Sequence, residues 1–243
     1  MPGLILHLSA PWQSWGAPTD HTVRPTHQYP TRSGLTGLIA SALGRPRDSA
    51  NTDLNQLTYT VRVDRAGHRE MDFHTIGGGY PRAMTPATAD GKRRKEGEGT
   101  LLTERWYLAD AAFTVAATGP TDVITLASEA LAAPVYAPYL GRRSCPPDTP
   151  LLIRTTDNDP AAELHRMPLH ANAPRGADTV TVTFIHETAP EPSAHPTTTL
   201  RDIPGPGRTW TSRDIWETHI NLPASLCAGA GTDWINALTA YTR

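Results

Sequence analysis

The sequence predicts an α+β fold, a mainly antiparallel sheet backed by a few helices, and three observations predict it. Leu4, Leu6 and Leu8 alternate along GLILHLS at residues 3–9, the two-residue period of a strand with one buried face. Leu35, Leu38, Ile39, Ala42 and Leu43 recur at the three-and-four spacing of a single helix face. DTVTVTFIHET at residues 178–188 returns to alternation.

The elements follow in chain order. After the first strand comes a loop carrying Trp12, Trp15 and Arg24. The helix containing Leu35 stops at Gly44, the residue type expected just past a helix end. NTDLNQL at residues 51–57 predicts a short second helix capped by Thr52 or Asp53. YTVRVDRAG and EMDFHT read as strands. Residues 77–100 differ in kind: three glycines, two prolines and DGKRRKEGEG carry no periodicity. They predict a long hairpin or loop inserted between strands, with a basic tip. TERWYLADAAFTVAAT restores strand composition. ITLASEALAAP predicts a helix ended by Pro134, with Leu126, Ala130 and Leu131 on its apolar face. Residues 135–150 are turn-rich, 189–207 form a proline-rich loop, RTWTSRDIWETHINL is a strand, and TDWINALTAYTR a short terminal helix. The order of strands and helices in the first half suits a ferredoxin-like (RRM-like) sheet, with a loop-rich, β-containing C-terminal part after it.

Composition bounds the function. A chain of 243 residues, 38% hydrophobic and 19% charged, suits a globular protein with a substantial core. A net charge of −2 argues against a free-standing, non-specific nucleic-acid binder but leaves room for local basic patches. Lys92 and Lys95 are the only lysines, so arginine, which can fork two donors onto a phosphate, carries nearly all the positive charge. Cys145 and Cys227 make neither a disulfide framework nor a metal pattern, and the ten histidines are scattered. No metal and no cofactor is expected. The apolar run LILHLSA is short and lacks a basic leader, so a cytoplasmic protein with no membrane partner is expected.

Two stretches carry candidate chemistry. In PWQSWGAPTDHTVRPTHQYPTRSG, Trp12 and Trp15 offer stacking faces near Gln13 and Arg24, although at least one indole should plug the core edge. Arg32, Ser33 and Gly34 crowd a helix start, where free N–H groups attract anions and a glycine admits a phosphate closely. Ser33 could instead cap the helix. The second stretch, YLGRRSCP, sets Tyr139, Gly141, Arg142, Arg143 and Ser144 in one turn, a compact donor set for a backbone phosphate.

PWQSWG, RPTHQYPTRSGLTGLIASALG and YAPYLGRRSCP, with RDIW and ADAAFTVA, resemble in order the CasD-type, E-subtype members of the fifth Cas protein family, in the repeat-associated RAMP superfamily. The resemblance implies a subunit of the type I-E CRISPR surveillance complex Cascade. Residues 1–76 and 103–223 would form a ferredoxin-like palm, 77–102 an inserted thumb hairpin, and 224–243 a tail of no assigned role. Such a subunit would hold the repeat-derived 5′ handle of the CRISPR RNA and cap one end of the backbone filament. It would contact an adjacent backbone subunit and the large subunit, and meet target DNA only indirectly.

The implied RNA contacts are Trp12, Gln13, Trp15, Arg24, Tyr29, Arg32, Ser33, Gly34, His74, Tyr139, Gly141, Arg142, Arg143 and Ser144. Lys92, Arg93, Arg94, Lys95 and Arg105 would be thumb contacts. A relative in another subtype cuts precursor RNA without metal, so an alternative is a metal-independent endoribonuclease using His21, His27, Tyr29 or His74 with Arg32 as cation. Type I-E systems assign that cut to a different subunit. A non-catalytic RNA-binding role is therefore the expectation.

Overall fold

The computed structural model describes residues 2–17, 22–46, 49–78, 81–88, 90–96, 99–204 and 209–242. Strand β1 (Gly3–Ser9) leads through the two-residue strands β2 (Trp12–Gln13), β3 (Trp15–Gly16), β4 (Val23–Arg24) and β5 (Thr26–His27) to helix α1 (Arg32–Ala42). Next come β6 (Thr58–Arg65), β7 (His68–Ile76), β8 (Leu101–Ala109), β9 (Ala112–Thr118) and α2 (Thr121–Ala132). The chain continues with β10 (Leu152–Thr156), the single turn α3 (Pro160–Glu163), β11 (Thr179–His186), β12 (Thr198–Pro204), β13 (Trp210–Pro223) and α4 (Thr232–Thr242).

The main sheet has the order β10-β1-β9-β6-β11-β13-β12, and every neighbouring pair is antiparallel. With α1 joining β1 to β6 and α2 joining β9 to β10, its first four strands have the β-α-β-β-α-β connectivity suggested by the sequence. Alternation along β1 assigns its side chains to two cores. Leu4, Leu6 and Leu8 pack with Leu35, Leu38 and Ile39 of α1 and with Val123, Ile124, Ala127 and Leu131 of α2. Ile5 faces the opposite side, against Leu164, Met167 and Leu169 and against Trp234 and Leu238 of α4. The segment from Ala224, left without a role by the sequence, therefore covers the second face of the sheet.

Helix α1 ends as its glycine predicts. Gly44 has φ +72°, its N–H donates to Ser41 O, and Arg45 N–H donates to Ala40 O, the paired bonds of a Schellman turn. Four expectations need correction. Residues 51–57 hold only a 3-10 turn at Leu54–Gln56, and Asp53 pairs with Arg45 rather than capping a helix. On α2 the buried face is Val123, Ile124, Ala127 and Leu131, while Leu126 is exposed. The proline-rich stretch contains β12, which pairs with the first half of the 14-residue strand β13. Finally, the arms β7 and β8 pair from His68↔Ala109 to Ile76↔Leu101, so the inserted hairpin is longer than 77–102 and takes EMDFHT out of the palm.

Beneath α4 the second face holds a polar network with no exposure at its centre. Arg62 Nε donates to Asp64 at 2.7 Å, and its other nitrogens reach the carbonyls of Leu164, Met167 and Pro168. Asp64 also accepts from Thr114 and from the His170 N–H. The His7 and His170 rings meet at 2.9 Å, and the Trp234 indole stacks on both. These bonds tie the segment 164–170 to the central strands. A buried carboxylate matched to a buried guanidinium is costly to remove singly. Asp64→Ala should lower the free energy of unfolding by about 3–5 kcal/mol, measured by urea titration.

Burial also keeps His7 neutral, its pKa pushed down to about 3 from 6.5. The unfolded chain protonates this histidine first, so its contribution is intact above pH 6.5 and is lost as pH falls from there toward 3. The thermal midpoint should fall on acidification through that window. His7→Gln should show a shallower decline, by up to about one bound proton.

Candidate nucleic-acid interface

Strand β8 is paired along both edges. β7 runs antiparallel along one; on the other lie β2 (Trp12↔Ala109, Gln13↔Leu108) and β4, parallel (Val23↔Glu104, Arg24↔Arg105). Cross-strand partners share a face and successive residues alternate. One face of the hairpin therefore carries Arg24, Arg105, Tyr107 and Trp12 beside Glu70, Asp72 and His74. The other carries the exposed apolar side chains Met71, Phe73 and Leu102.

The turn at residues 139–144 closes over this root. Ser14 N–H donates to Leu140 O at 3.1 Å, while Leu140 and Cys145 are buried and anchor the turn. Gly141 has φ +82°, and a Cβ on it would lie 1.6 Å from the Ser14 carbonyl oxygen. Only glycine permits that approach. It delivers Arg142, whose guanidinium lies 4.5 Å over the Tyr107 ring and donates to Arg24 O at 3.0 Å. Ser14, Gly16, Arg24, Gly141 and Arg142 line an open concavity of about 170 Å³. Arg143 and Ser144 are exposed beside it, with Tyr139 half-buried. Among the described residues no carboxylate pairs with Arg24, Arg105, Arg142 or Arg143, and Arg142 Nη1 is buried without a partner.

The structure thus brings the two predicted stretches together, but it removes several of their members. Trp15 is fully buried, and its Nε1 donates to Gln13 Oε1. Gln13 is itself buried and donates to the carbonyls of Leu8 and Ala111. Both are packing residues. Arg32 is buried too, ion-paired at 2.5 Å with Glu187 and bonded to Asn55 O. Asp202 accepts from the Arg32 backbone N–H at 2.7 Å, so a carboxylate of the same chain occupies the start of α1 where a phosphate was expected. Thr31 Oγ1, rather than Ser33, accepts from Gly34 N–H, and Ser33 Oγ lies 3.3 Å from Thr31 Oγ1. Gly34 is small for Trp15: a Cβ there would stand 2.8 Å from the indole.

The remaining candidates lie just before α1 and along the hairpin. Tyr29 is half-buried against the α1 core, its hydroxyl pushed up to about 12 by burial and then by Glu217. Burial lowers the neighbouring His27. His74 shares the face of Arg105, 3.3 Å from Asp72. Arg105 donates to Thr103 Oγ1. Lys92, Arg93, Arg94 and Lys95 sit at the far end, where Lys92 faces Asp90 and Arg93 donates to Thr85 O. About 20 Å of strand separates Tyr107 from Leu101, so tip and root are distinct basic sites. His21 lies outside the described residues. Sequence reasoning missed Tyr107; the signal was its two-residue spacing from Arg105.

The family model described as "CRISPR-associated protein (Cas_Cas5)" matches residues 3–217. The chain belongs to the Cas5 family. It is similar to the CRISPR system Cascade subunit CasD of Escherichia coli (strain K12), 40% identical over 179 residues that cover 66% of this chain and 75% of the relative. Among solved structures it is similar to a chain of a "CRISPR RNA-guided surveillance complex", with a TM-score of 0.86 and 43% identity over 98% of both chains. A solved "Cas protein" matches with a TM-score of 0.65 and 26% identity, covering 94% of this chain and 98% of the other. The 98% coverage extends past residue 217, so this Cas5 protein shares the sheet-covering C-terminal segment with that chain.

Arg32 and Arg142 should respond unequally to substitution. Arg32→Ala strips a buried partner from Glu187 and should cost about 3 kcal/mol by urea titration. Arg142→Ala gives up a stacked, part-exposed guanidinium and should cost about 1 kcal/mol.

Proposed function

We propose that this Cas5 protein is a non-catalytic, RNA-binding subunit of a Cascade-type CRISPR surveillance complex. It holds the repeat-derived 5′ handle of the CRISPR RNA and caps one end of the backbone filament. Its partners are an adjacent backbone subunit and the large subunit, in the cytoplasm. The observation that carries this reading is that Arg24 and Arg142 line the concavity where the two predicted stretches meet, with Arg105 paired opposite Arg24 and Arg143 next in the turn, and that among the described residues no carboxylate pairs with any of the four. Four guanidiniums with no carboxylate partner among the described residues are a site for a polyanion. Arg24, Arg142, Arg143 and Ser144 hold the sugar-phosphate chain, Trp12 meets a base, and the basic hairpin tip engages RNA further along.

The non-catalytic part of the reading has its own support. A cutting site built on His27, Tyr29 or His74 needs a cation at the phosphorane, and Arg32 is committed to Glu187. The Tyr29 hydroxyl is held far from a useful base.

The test is RNA retention by the assembled complex. Arg142→Glu with Arg143→Glu should abolish co-purification of a short RNA with a fixed 5′ end, and retention at the wild-type level would overturn the phosphate role. For the isolated chain on single-stranded RNA, the log–log salt slope should be near −3, and Arg142→Ala should flatten it by about 0.7. A defined cut in repeat RNA incubated with the chain in EDTA would establish the nuclease instead.

A further inference from the structure

We infer that Trp12, Tyr107 and Arg142 act as one stacked unit that receives an unpaired nucleobase on the exposed face of Trp12, with Glu70 as its positioning residue. This rests on the RNA reading above and adds what that site recognises. Tyr107 is buried because rings and charge cover it: the Trp12 indole stacks on it at 4.6 Å and 28°, and the Arg142 guanidinium lies 4.5 Å from its centroid. The pairing register separates the two. Trp12 sits opposite Ala109, rootward of Tyr107, whereas Arg142 bonds the carbonyl of Arg24, opposite Arg105 and tipward of it.

Trp12 retains 38% exposure although its neighbour Trp15 is fully buried. An exposed indole normally turns freely about its side-chain bonds, and this one does not. Its Nε1 donates to Glu70 Oε2 at 3.0 Å, and Glu70 Oε1 is held by His68 at 2.9 Å. Both of these residues belong to the hairpin arm β7. An aromatic ring fixed on both its edge and its inner face, beside unpaired arginines, is a stacking platform for a strand whose phosphates those arginines hold. Stacking tolerates any base, so the platform recognises a base without choosing which one.

The test compares two single strands of about ten nucleotides at low ionic strength, oligoadenylate and its fully abasic equivalent. The full-length wild-type chain should prefer the base-bearing strand by about 5- to 100-fold. Trp12→Ala should abolish that preference, and Trp12→Phe should keep part of it. Glu70→Gln, whose amide oxygen still accepts from Nε1, should keep the preference that Glu70→Leu loses. Arg142→Glu should weaken both strands together. A preference unchanged in Trp12→Ala, with thermal midpoints matching the wild type, would overturn the platform while leaving the RNA reading intact. Wild-type protein that binds neither strand would overturn both.

Discussion

The site depends on β8 being paired along both edges. A hairpin arm normally has one partner inside the hairpin and leaves its outer edge bare, a liability for unwanted association. Here β2 and β4 cover the root of that edge, and doing so fixes the loop between β1 and α1 against the hairpin. Because β2 is antiparallel to β8 and β4 is parallel, the loop must reverse between Trp12 and Arg24. Both residues then emerge on the same face. The Gly141 approach to Ser14 completes the arrangement, since it brings a turn more than a hundred residues away onto the same loop. Backbone hydrogen bonding, not surface charge, decides where the arginines stand.

Those arginines form two populations, which explains how a chain of net charge −2 can present a basic face. Arg32, Arg62 and Arg213 are buried or nearly so and matched to Glu187, Asp64 and Asp202, where they hold the sheet extension, the segment 164–170 and the start of α1 in place. Their charge is cancelled inside the fold. Arg24, Arg105, Arg142 and Arg143 have no such partners among the described residues, so their field reaches solvent. A count of basic residues cannot distinguish the two groups.

That difference also marks how much the sequence disclosed. Period-two and period-3.6 patterns located β1, β6, β11, β13 and α1 because their apolar side chains recur at those spacings, although β1 and β6 are buried on both faces. Leu126 was assigned to the wrong side of α2 because alanine and leucine crowd that helix all round and blur the stripe. Strand β12 was hidden by flanking prolines, and EMDFHT was placed in the palm because local alternation does not reveal which strand will pair. At the site, YLGRRSCP and Arg24 were legible as cationic donors. Arg32 looked the same, and its acids, Glu187 and Asp202, lie more than 150 residues away. Tyr107 carried only its two-residue spacing from Arg105, and Glu70 carried no signal of its own until pairing set it near Trp12.

Helix α4 has a consequence for where this fold meets its ligand. In RRM-type domains, aromatic side chains on the open face of the four-stranded sheet stack against bases. In this chain the equivalent ground, around His7 on the central strand, already carries a ring: the Trp234 indole, lying 4.0 Å from the His7 centroid and 4.7 Å from that of His170. The polypeptide's own indole therefore covers that face of the sheet. The sheet floor is closed to an incoming ring, whereas the hinge with the hairpin keeps Trp12 exposed.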